Sequence, residues 1–90
     1  MPYLLIKHEV ADFDHWKTMY DKHKSARDHA DLHELHLFQN TYNHNEVIVL
    51  FEAKSEGKVL EFMESKDLEQ AMKGAGVLGT PEMRILREVS

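Results

Sequence analysis

The sequence predicts an α+β fold, a four-stranded antiparallel sheet with two helices on one face. Three observations carry this reading. Four β-rich apolar runs are separated by polar turns. Two further segments repeat apolar residues at helical spacing, and the order of the six is β-α-β-β-α-β, the ferredoxin-like or split βαβ pattern.

The elements follow in order. "YLLIKHEV" (3–10) is a strand, bounded by Pro2 and Asp12. Asp12 or Asp14 caps a helix over about 13–29, which spaces Phe13, Trp16, Met19, Tyr20 and His23 along one face. Lys17, Asp21, Lys22, Lys24 and Asp28 fall on the other side. "ELHLFQNTY" (34–42) alternates as a second strand, "NHNE" (43–46) carries turn residues, and "VIVLFEA" (47–53) is a third strand, making a hairpin. Ser55 caps a second helix over 56–65, continued by "KDLEQAMK" (66–73). A glycine loop at 73–81 leads to a last strand, 82–89.

That loop, "KGAGVLGTP", places Gly74, Gly76 and Gly79 in the G-x-G-x-x-G spacing of dinucleotide-binding turns. Pyrophosphate binding needs such a loop to leave a strand and open a helix. Here it follows a helix and precedes a strand, so the glycines read as structural. Gly74 stands where a helix end favours a left-handed residue, and Pro81 bars further helix.

Composition sets limits on function. Ninety residues suit a single domain, 1–90, whose thin core gains from a partner subunit. A net charge of -5 argues against a nucleic-acid partner. No segment approaches a membrane span, and the N-terminus reads as a strand rather than a signal peptide. The absence of cysteine removes disulfides and thiolate metal sites and fits the reducing cytoplasm.

"YLLI" and "VIVLF" are apolar on both faces, the mark of central strands covered on both sides. The helices cover one face. The expected cover for the other is a second copy of the chain, in a homodimer with sheets face to face.

Several motifs resemble a known family. They are H-x-V-x-D-x-x-x-W (His8, Val10, Asp12, Trp16), Y-D-x-H (Tyr20, Asp21, His23) and N-E-V-x-V-L-F-E (45–52). F-M-x-S-x-D-L (62–68) and A-G-V-x-G-x-P (75–81) complete the set, which spans nearly the whole chain. Together they are similar to small dimeric α+β barrel proteins of the antibiotic biosynthesis monooxygenase-like superfamily, including members described as cyclases. The resemblance implies a dimer and a ligand pocket between helices and sheet. It also implies a hydrophobic, polyketide-like aromatic ligand and monooxygenase, cyclase or isomerase chemistry without a cofactor. A non-catalytic, ligand-sensing or stress-associated dimer is the alternative. The haem-degrading branch resembles this fold but takes an iron ligand from a histidine of the second helical region; here all seven histidines lie between His8 and His44.

The candidate catalytic residues are His8, Tyr20 and His23, meeting beneath Trp16 if the even-numbered side of the first strand faces the helices. A buried, neutral imidazole can accept a proton from a phenol or an enolisable ketone, and a tyrosine hydroxyl can bind the developing oxyanion. Trp16, Phe62 and Met63 would form the pocket wall, joined by His36 and Phe38 if their side of the second strand turns toward the helices. His29, His33 and His36 form a second histidine group, but alternation sends His33 and His36 to opposite strand faces. No physiological metal is expected there, and no cofactor elsewhere.

Overall fold

The computed structural model describes residues 1–89. Its elements are β1 (Pro2–Val10), α1 (Phe13–Lys22), α2 (Lys24–His29), β2 (Leu32–Asn40), β3 (Asn43–Ala53), α3 (Glu56–Glu64), α4 (Lys66–Gly74) and β4 (Val77–Arg87). The strands form one antiparallel sheet in the order β2-β3-β1-β4. The α+β, ferredoxin-like reading therefore holds, with β1 and β3 central.

Each expected helix is two helices. The first breaks at His23, whose φ of -89° and ψ of 10° leave the helical region. The second breaks at Ser65, which is extended. Ser65 supports that break twice: its hydroxyl donates to the Phe62 carbonyl and accepts from the Leu68 amide at the start of α4. Asp12 and Ser55 cap α1 and α3 through His15 and Lys58.

Leu4, Ile6, His8 and Val10 of β1 and Val47, Val49, Phe51 and Ala53 of β3 are buried beneath the helices. The opposite face bears Tyr3, Leu5, Ile48 and Leu50, only half-buried in the single chain. Leu86, paired with Tyr3, and Phe38, paired with Ile48, extend this apolar surface and are 40% and 51% exposed.

Three irregularities reset the expected boundaries. The β2–β3 turn is Thr41–Tyr42, because Asn40 pairs with Asn43; the predicted turn residues 43–46 lie inside β3. Asn40 Oδ1 accepts the Tyr42 amide at 2.7 Å and holds this tighter turn. In β2, the pairing passes from Glu34↔Phe51 to His36↔Leu50, leaving Leu35 as an inserted residue. In β1–β4, Lys7 pairs with Glu82 and Glu9 with Leu78, so residues 79–81 bulge opposite His8. From Val77 onward the glycine segment is part of an edge strand, with Gly79 inside it and Gly76 just before it at φ of 66° and 79°. Gly74 ends α4 without a left-handed conformation.

Candidate active site between helices and sheet

β1 points His8 inward, and helical spacing on α1 brings Trp16 and Tyr20 over it. The His8 and Trp16 rings lie 5.4 Å apart, and Trp16 stacks on Tyr20 at 4.7 Å. Arg27, two turns farther along the helical stripe on α2, sets its guanidinium carbon 3.7 Å from the centre of the Tyr20 ring. A column of contacts therefore runs His8, Trp16, Tyr20, Arg27. It borders a cavity of about 60 Å³, closed on its far side by Phe62, Leu68 and Met72.

His8 is 8% exposed, and neither of its ring nitrogens has a hydrogen-bond partner among the described residues. Burial pushes its pKa down from 6.5 to about 4, so the ring is neutral near pH 7. A neutral imidazole carries one N–H donor and one acceptor nitrogen, and both are free here.

Tyr20 is engaged. Its hydroxyl donates to Glu34 Oε1 at 2.6 Å, and burial together with that bond raises its pKa well above the ordinary value. His23 Nε2 donates to Asp67 Oδ2 at 2.9 Å, across the cavity's edge from α1–α2 to α4. His15 Nε2 donates to the Gly74 carbonyl at the other end of α4. The helix that covers the cavity is thus held to α1 at both ends by histidine side chains.

Of the expected residues, His8, Trp16, Tyr20, His23 and Phe62 border one cavity. His36 and Phe38 do not. The Leu35 insertion advances the pleat by one residue, so Glu34 and Leu37 face the helices while His36 and Phe38 stack on each other on the outer face. The same insertion puts His33 and His36 on one face, opposite Glu52 and Leu50, against the expected alternation. Met63 packs on the rim of the core rather than lining the cavity.

Arg27, Glu34 and Asp67 complete the site and were not among the expected residues. Arg27 had a legible signal: it follows Trp16 and Tyr20 at i+11 and i+7, on the same helical stripe.

No family model matches the chain, and no curated protein matches it by sequence. Solved structures do match. A candidate antibiotic biosynthesis monooxygenase from Bordetella bronchiseptica superimposes with a TM-score of 0.80 at 12% identity, covering 99% of this chain and 97% of that one. The chain has the antibiotic biosynthesis monooxygenase-like fold. A variant of SnoaB, a cofactor-independent oxygenase from Streptomyces nogalater, has a TM-score of 0.76 at 6% identity, covering 99% and 93% of the two chains. A further antibiotic biosynthesis monooxygenase covers both chains fully, with a TM-score of 0.74 at 10% identity. At these identities the likeness concerns the path of the chain, and the antibiotic biosynthesis monooxygenase-like fold leaves the chemistry to the side chains described above.

Proposed function

We propose that this chain is a small homodimeric protein that binds a hydrophobic, aromatic small molecule between its helices and sheet. The proposed chemistry is of the cofactor-independent monooxygenase, cyclase or isomerase type. The observation that carries the reading is His8: a buried imidazole with both nitrogens unpartnered among the described residues, facing a cavity walled by Trp16, Tyr20 and Phe62. Leaving such a group unsatisfied costs about 1–3 kcal/mol, a cost that a substrate hydrogen bond would offset.

A pKa near 4 makes His8 a weak base, so the substrate must bring an acidic proton, as a phenol or a 1,3-dicarbonyl does. His8 takes that proton on its free nitrogen, and the carbanion or phenolate left behind is the reactive species. Tyr20, committed to Glu34, serves as wall and spacer rather than oxyanion donor. His23 and Asp67 form the polar lip of the cavity.

A second reading has its own support. Ligand pockets commonly enclose roughly 300–1,000 Å³. The cavity of about 60 Å³ is largely filled by the protein's own side chains, as in a non-catalytic sensing or stress-associated dimer. Under the first reading α4 must move aside to admit a fused-ring ligand.

The experiment is oxygen uptake and deuterium exchange on a panel of phenolic and enolisable aromatic ketones, without added metal or cofactor. Turnover or exchange that is lost in His8→Leu supports catalysis. Ligand binding with neither activity supports the sensing module.

A further inference from the structure

We propose that the ligand of this cavity is an apolar carboxylate, with its ring or chain against Trp16 and Tyr20 and its carboxylate on Arg27. This rests on reading the cavity as a small-molecule site and names the class of molecule it selects. Arg27 is 8% exposed, yet no carboxylate of the described residues comes within ion-pairing distance of it. Among the described residues, its guanidinium makes one hydrogen bond, from Nη1 to the Tyr20 carbonyl at 2.7 Å, and lies over the face of the Tyr20 ring.

A guanidinium has five N–H donors in a planar fork that matches a carboxylate, and burying that charge without a counter-ion is costly. Glu34 would be the natural counter-ion from β2, but it is bonded to the Tyr20 hydroxyl. Asp31, from the loop before β2, is paired with Lys58. The remaining acidic group at the cavity's lip, Asp67, is bonded to His23. Arg27 therefore borders the cavity with only Nη1 hydrogen-bonded among the described residues. The rest of the lining is aromatic and aliphatic, which asks for an apolar body behind the anionic head.

Trp16, the single tryptophan, lies inside the column and reports occupancy by its fluorescence. The test titrates the full-length protein with benzoate and with its neutral isostere benzamide, at constant ionic strength. Benzoate is expected to bind at least tenfold more tightly than benzamide. Arg27→Gln should erase that preference, and Arg27→Lys should retain part of it. Equal binding of the two probes, or a preference unchanged in Arg27→Gln, overturns the carboxylate assignment while leaving a small-molecule site in place. Should Arg27→Gln unfold, the wild-type preference and Arg27→Lys still decide. If neither probe perturbs Trp16 at millimolar concentration, the carboxylate assignment is overturned; failure of the broader reading would additionally require that no phenol or aromatic ketone of the activity panel perturbs it.

Discussion

The Tyr20 hydroxyl donates to Glu34 Oε1 at 2.6 Å, tying α1 to the edge strand β2 at the residue before its bulge. That one bond fixes the orientation of the ring on which Trp16 stacks and over which Arg27 lies.

Tyr20→Phe keeps the ring and removes the bond. It should destabilise the fold by about 1–2 kcal/mol, since a hydrogen bond to a charged group is worth more than a neutral one. Glu34→Gln retains an acceptor and should cost less. Urea unfolding of the two variants checks the order. The raised Tyr20 pKa adds an alkaline signature. The unfolded phenol ionises near pH 10 and the folded one only above that, so stability is intact below pH 10 and falls as pH rises beyond it.

His8 predicts an acid signature of opposite slope. Unfolded His8 gains a proton below about pH 6.5, whereas folded His8 stays neutral down to about 4. Stability is therefore complete above pH 6.5 and declines as pH falls toward 4, by a limit on the order of 3 kcal/mol for a shift of this size. His8→Leu should flatten that decline. At pH 7 the same substitution should raise stability by about 1 kcal/mol, because it removes an unsatisfied polar ring. Thermal unfolding from pH 7.5 to 4 measures both effects. An unchanged slope in His8→Leu would refute the assignment.

The outer sheet face predicts self-association. Phe38→Glu places a charge on the β2 side of the apolar surface, beside Ile48, and should turn a dimer into monomers. Sedimentation velocity at micromolar concentration checks this. A wild-type protein that sediments as a monomer would refute the face-to-face homodimer.

The α4 cover is held by His15–Gly74 and His23–Asp67. Asp67→Ala removes one of these contacts at the start of the helix. Amide hydrogen exchange should quicken across 66–74 by several-fold, an opening cost lowered by about 1 kcal/mol, with the β1 and β3 amides unchanged. Uniform acceleration over the whole chain would indicate global destabilisation instead.

Much of this molecule was legible in its 90 residues. The β-rich runs of β1 and β3, apolar on both faces, place them centrally. The i, i+4, i+7 spacing of Trp16, Tyr20 and His23 puts all three on one side of the first helical segment, and the inward parity of Leu4 and Ile6 carries His8 to the same cavity. These are local periodicities, read within one element. The glycine motif was also legible as structural, since the order helix, loop, strand is written in the chain.

Tertiary structure decided the rest, because register is a property of pairs of strands. One inserted residue, Leu35, reverses the faces of everything after it, so His36 and Phe38 turn away from the helices while Glu34, before the insertion, keeps the side on which it meets Tyr20. The bulge at 79–81 and the early start of β4 likewise depend on where β1 accepts its partner. Helix breaks at His23 and Ser65 bend the two helical segments around the sheet and bring Asp67 to His23, 44 residues apart. Most of all, that Arg27 has no ion-pairing acid and His8 no hydrogen bond among the described residues follows from what the other elements fail to supply. No local pattern encodes such an absence.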